Sequence, residues 1–153
     1  MNRQIKFRVF VSWLSKRIFE VEGMSFGSDG KPNCLRLFAN EHHRHEIHDD
    51  LPSWRKEEPI LMQFTGLLDC EGKEIWDGDV CQYAYKDRYG IDFDGVAYIY
   101  WDTSNCAFAL KVIKDSRNDS KSKMSLFYAG GNLKLKIIGN RFEHPALLGA
   151  AND

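Results

Sequence analysis

The feature that most constrains this chain is a period of two. In LKLKIIG, residues 133–139, Leu133, Leu135 and Ile137 fall on one side and Lys134 and Lys136 on the other. QIKFRVFVS, residues 4–12, repeats the pattern, with Ile5, Phe7, Val9 and Val11 opposite Lys6, Arg8 and Phe10. Successive side chains of a strand point to opposite faces, so strict alternation over a short run predicts a half-buried strand and is incompatible with an amphipathic helix. Further strands are expected at 17–26, ending at Gly23, at 34–38, from residue 60 to Thr65-Gly66, at 79–85, 95–101, 106–112 and 123–129. The spacing predicts a hairpin through Asp102-Thr103-Ser104-Asn105 and another through Gly130-Gly131-Asn132, which would join 123–129 to 133–139. HPALLGAA, 144–151, is read as one or two helical turns with Pro145 at a first helical position.

About eight short strands with little helix imply a mainly β fold, with short antiparallel strands in a barrel- or sandwich-like body, an N-terminal β element and a short C-terminal helix. At 153 residues the chain is one domain, 1–153, long enough to fold around its own core. A subdivision is drawn at 1–39 (N-terminal β element), 40–58 (loop) and 59–153 (barrel-like body). The loop assignment rests on ANEHHRHEIHDDLPSWRKEE, which is polar, contains Pro52 and has room for a helical turn only at 40–48.

A net charge of -1 supplies no basic surplus for general polyanion binding. The charge is polarised, however. Arg3, Lys6, Arg8, Lys16 and Arg17 stand without acids in 1–19, while 67–80 carry Asp69, Glu71, Glu74, Asp77 and Asp79 against Lys73. Opposed patches suit self-association or a protein partner. No apolar run approaches the ~20 residues of a membrane helix, and no signal peptide is visible. Cys34, Cys70, Cys81 and Cys106 form no CxxC pair and read as reduced thiols in a cytoplasmic protein of a bacterial cell.

LMQFTGLLDCEGKEIWDGDV, residues 61–80, concentrates carboxylates. Asp69-Cys70-Glu71-Gly72 has the chemistry of a type I turn, Asp77-Gly78 signals a second turn, and Asp79 is placed to accept backbone N–H groups at a strand mouth. These acids therefore read as scaffold, not as an acid–base pair or a calcium loop. The string Gln63-Phe64-Thr65-Gly66-Leu67, Asp69, Gly72-Lys73-Glu74-Ile75 and Gly78-Asp79-Val80 resembles the signature of the YopX-like family of phage and prophage proteins. Ile5-Lys6-Phe7-Arg8 is similar to its opening strand, and Ile138-Gly139-Asn140 with Pro145 and Leu147-Leu148 to its closing motif. Phe64, Trp76, Phe10 and His144 depart from the family's usual residues there. The resemblance implies phage origin and a β-rich fold, and it carries no activity onto particular residues.

The leading expectation is a non-enzymatic protein-interaction module that self-associates, with Gln63, Thr65, Asp69, Glu74 and Asp79 as the candidate interaction surface. No catalytic residue, metal ligand, cofactor or small-molecule substrate is assigned. One alternative is a nucleic-acid-binding small barrel using Tyr83, Tyr85, Tyr98, Tyr100, Trp101, Lys111, Lys114, Arg117, Lys121 and Lys123. Another is a metal-dependent enzyme using His42, His43, His45, His48, Glu46 and Asp49, with Cys34 as a further ligand, because histidines three apart share a helix face. YGIDFDG, 89–95, reads as a loop between strands. No nucleophile elbow and no phosphate-cradling glycine loop occurs.

Overall fold

A computed structural model gives the fold. It describes residues 4–13, 16–29, 32–40, 43–48, 58–87, 89–116, 123–126 and 133–149, with the backbone alone at 32–33, 39–40 and 43–48. The elements in chain order are β1 (Phe7–Val11), β2 (Arg17–Phe26), β3 (Pro32–Asn40), β4 (His43–His48), β5 (Ile60–Leu68), β6 (Glu74–Trp76), β7 (Asp79–Lys86), β8 (Asp92–Asp102), β9 (Ala107–Asp115), β10 (Lys123–Ser125), β11 (Lys134–Asn140) and α1 (Ala146–Gly149). The fold is mainly β with a short C-terminal helix, as the alternation predicts, and every ladder is antiparallel.

The chain divides into two compact units, Ile5–Gln63 and Phe64–Asp153 with Met1–Gln4. The division falls inside β5. In that unit the strands run β4-β3-β2-β1-β5. Val9, Val11, Leu35 and Leu37 form its core, with Trp13, Phe19, Val21, Met24 and Leu61 packed on it. Gly23 does not end β2. The register with β3 slips between Val21 and Gly23, and β2 continues to Phe26. Glycine inside a strand marks a bulge as readily as an end. Within the expected loop over 40–58, the helical turn read at 40–48 is replaced, since His43–His48 is a strand whose register sets His48 opposite Cys34 and Arg44 opposite Phe38; 41–42 and 49–57 lie outside the described residues. Pairing with an available neighbouring strand overrides weak local β preference.

The second unit holds the β5–β6 ladder and a five-stranded sheet in the order β10-β9-β8-β7-β11. Cys81, Tyr83, Ala97, Ile99, Leu110, Val112 and Leu135 project from one face of the sheet, and Ile75 of β6 joins them in the core. β8 and β9 form the expected hairpin, with Asp102 opposite Ala107. The turn of the expected hairpin between 123–129 and 133–139, with residues 127–132, lies outside the described residues. β10 pairs with β9 and β11 with β7, so the two lie at opposite edges. With β10 and β11 at separate edges, the sheet is open and the barrel alternative is not realised. Among the described residues, no helix is long and apolar enough to cross a membrane.

Candidate functional site

The second unit is punctuated by one turn used twice. Asp69 donates its N–H to the Lys73 carbonyl (2.8 Å), and Gly72 returns its N–H to the Asp69 carbonyl (3.1 Å). Asp87 and Ile91 (2.9 Å), and Gly90 and Asp87 (3.0 Å), do the same. In each turn one aspartate oxygen accepts two backbone N–H groups, Glu71 and Lys73 on Asp69 Oδ1, Tyr89 and Ile91 on Asp87 Oδ1. Each turn has its glycine at positive φ, 83° at Gly72 and 78° at Gly90. This is a type I turn closed by a left-handed residue, where glycine has no Cβ to clash. The loop read at 89–95 is therefore the end of this turn and the start of β8, where Asp92 pairs with Lys86 at 3.4 Å.

The two turns differ in what the second carboxylate oxygen does. Asp69 Oδ2 accepts the N–H of Ile137 at 3.0 Å, and the Cys70 N–H donates to the Leu135 carbonyl at 2.8 Å. The turn thus occupies the outer edge of β11, which would otherwise present unpaired backbone groups. Burial pushes the Asp69 carboxyl up, but N–H groups of Ile137, Lys73 and Glu71 outweigh it and hold the carboxyl below its ordinary value.

The other motif residues are used in the same way. Thr65 is buried; its hydroxyl donates to the Ile75 carbonyl (2.8 Å) and accepts the Leu67 N–H (3.2 Å). Asp79 is 2% exposed, accepts the Trp76 N–H on Oδ2 (2.9 Å) and Asn140 Nδ2 on Oδ1 (3.3 Å). Asn140 Oδ1 in turn accepts the Phe142 N–H at 2.9 Å. At Gly139 a Cβ would stand 2.6 Å from Leu147 Cδ1, so this glycine admits α1 against β11. Gln63 and Glu74 are half-buried. Thr65, Asp69 and Asp79 are thus buried and used within the scaffold. Cys81 is equally unsuited to nucleophilic work, because burial and then the Asp79 carboxylate push its thiol up to about 12.

An accessible concave surface lies on the face of the five-stranded sheet opposite its core. Cross-strand register aligns Lys136 of β11, Gln82 of β7, Val96 of β8 and Lys114 of β9 in one row, and Lys134, Ala84 and Asp94 in the next. They line a groove of about 520 Å³, with Ser116 and Cys70 at its margins. Gly95 makes room beneath it, because a Cβ there would collide with the Lys114 carbonyl and stand 2.9 Å from the Tyr83 hydroxyl. Tyr83 donates to Asp115 Oδ2 at 2.8 Å, and burial, with that bond, raises its phenol above the ordinary value. Lys136 Nζ meets Glu71 Oε1 at 2.6 Å, and this hydrogen bond raises the lysine. Among the described residues Lys114 and Lys134 have no ion-pair partner.

The aromatics expected to stack on nucleic acid are divided. Tyr83 is in the core, Tyr85 stacks on Phe93 (4.7 Å) and Trp101 meets Phe108 edge-on (5.1 Å). Tyr98 lies on the lysine-bearing face with the Arg141 guanidinium 4.8 Å and Lys111 Nζ 5.9 Å from its ring centre. The Tyr100 hydroxyl is buried. Arg117 and Lys121 lie outside the described residues. So do His42 and Asp49, and the side chains of His43, His45, Glu46 and His48. The backbone of 43–48 is extended, so the helical spacing behind the metal reading is not present. Sequence reasoning missed Gln82, Lys134 and Lys136 as a site. Alternation placed both lysines on one face, but not beside β7.

Three comparisons bear on this geometry. The family model described as YopX protein matches residues 6–149. No curated protein matches the chain. The crystal structure of protein EF1440 from Enterococcus faecalis is similar in fold, with a TM-score of 0.56 and 20% identity over 96% of this chain and 99% of that one.

Proposed function

The chain belongs to the YopX family, and from that premise we propose that it is a non-enzymatic protein-interaction module of phage or prophage origin, acting in the bacterial cytoplasm and able to self-associate. What supports this reading is the use made of the motif's polar groups. Asp69, Asp79 and Thr65 are spent on backbone N–H and C=O groups, while the lysine-lined groove offers a shaped and accessible surface. The opposed charge runs of 1–19 and 67–80 support association between copies. Nucleic-acid binding is a second reading, favoured by Lys111 and Arg141 against Tyr98, although most of the expected stacking rings are packed against protein.

The test is capture from a bacterial host with the wild-type chain and with a Lys114→Glu/Lys134→Glu variant, together with sedimentation over a range of concentration. A protein recovered at stoichiometric amount supports the module. Recovery of nucleic acid that falls away with salt would replace it with the second reading. A strictly monomeric profile removes self-association.

A further inference from the structure

We infer that the groove on the five-stranded sheet receives an acidic, extended segment of a partner protein, laid across the strands with carboxylates at positions i and i+4. This rests on the interaction-module reading and names the chemistry of its partner.

The spacing comes from the sheet. Lys136 and Lys114 are separated by β7 and β8, three strand spacings, or about 14 Å. Residues i and i+4 of an extended peptide are about 13 Å apart and point to the same side. A segment crossing the strands therefore sets one carboxylate at Lys134 and Lys136 and the other at Lys114. Between them lies Gln82, whose exposed amide both donates and accepts and so suits a peptide backbone. Ala84 and Val96 are small enough to let the backbone down onto the sheet. Asp94 and Asp115 also line the groove, but Asp94 lies one row away from the line through Lys136, Gln82, Val96 and Lys114, and Asp115 accepts the Tyr83 hydroxyl.

Glu71 indicates what the lysines are built to hold. Its carboxylate already sits on Lys136, with both side chains about half exposed (44% and 50%). An exposed pair of this kind is weak and exchangeable. A partner carboxylate competes with Glu71 for Lys136, while Lys114 and Lys134 are exposed and have no ion-pair partner among the described residues. Removing the Glu71 charge should therefore strengthen binding, an effect that a merely structural ion pair would not produce.

The probe is a fluorescein-labelled peptide carrying the run Glu-Ala-Thr-Ala-Glu, with Gln-Ala-Thr-Ala-Gln as control, read by fluorescence anisotropy with the full chain. Binding of the glutamate peptide alone is expected. It should weaken about tenfold in Lys114→Glu/Lys134→Glu, tighten about threefold in Glu71→Gln, and fall with salt. Circular dichroism of both variants checks that the sheet is retained. If Lys114→Glu/Lys134→Glu unfolds, Gln82→Ala and Glu71→Gln carry the test. Equal binding of the two peptides, or a Glu71→Gln affinity no better than wild type, overturns the inference. Tighter, lysine-dependent binding of an oligothymidylate also overturns it, in favour of nucleic acid. A dimer lost in the lysine variant, without peptide binding, overturns it in favour of a second copy of this chain. If peptide binding fails while capture still yields a stoichiometric protein, the interaction module stands and only the acidic-segment chemistry falls.

Discussion

Asp69 Oδ2 accepts the backbone N–H of Ile137 at 3.0 Å across 68 residues of chain. One side chain thereby closes a local turn and covers the edge of a strand formed at the other end of the sequence. Among the described residues, the same turn at Asp87 bonds only within its own loop. The pair is an internal control for the value of the edge contact.

Asp69→Ala strips acceptors from three backbone N–H groups and uncovers β11. The expected loss is about 3 kcal/mol, against about 1 kcal/mol for Asp87→Ala, where water replaces the carboxylate. Urea unfolding of the two variants measures both. Equal losses would show that the Ile137 contact contributes nothing beyond the turn.

Acid should destabilise the second unit in a defined window. Asp102 is lowered to about 2, first by the Ser104 hydroxyl, then by Asn105, the Ser104 N–H and Lys123, against an opposing effect of burial. Asp69 is lowered as well. A carboxylate with a depressed folded value stabilises the fold above its unfolded value near 3.8. That stability is lost as pH falls through the folded value. Urea midpoints should therefore drop between about pH 4 and pH 2, and Asp102→Asn should flatten the drop. An unchanged profile in that variant would assign the acid sensitivity elsewhere.

Gly95→Ala should destabilise by about 3 kcal/mol or more, because its Cβ meets the Lys114 carbonyl, which is backbone and cannot swing away. Gly139→Ala should cost less, since the nearest atom is the tip of Leu147. Thermal unfolding midpoints rank the two. The reverse order would show that β9 yields more readily than α1.

Thiol labelling separates the cysteines. Cys70 and Cys106 are exposed and Cys81 is buried, with its thiol held protonated to about pH 12. At pH 8 Cys70 and Cys106 should react rapidly with a disulfide reagent, Cys34 more slowly, and Cys81 only on unfolding. Rapid modification of Cys81 in the native protein would mean that β7 opens locally.

Strands and turns were legible wherever the interactions that make them are local. The D-x-x-G turn at Asp69 is written in five residues because its hydrogen bonds close within five residues, and the alternation in 133–139 reports which side of β11 is wet. Contacts between distant segments were not legible. LKLKIIG is compatible with pairing to 123–129 or to β7, and only the assembled sheet selects β7. HRHEIH has no strand signal, and it becomes β4 because β3 offers it an edge. The groove depends on lysines from β9 and β11 meeting across β7 and β8. By itself the sequence determined periodicity, turn chemistry and family. The tertiary structure decided which carboxylate is buried, which edge is covered and which lysines share a face, because those outcomes depend on which strands pair, and pairing over long sequence separations is set by the whole core.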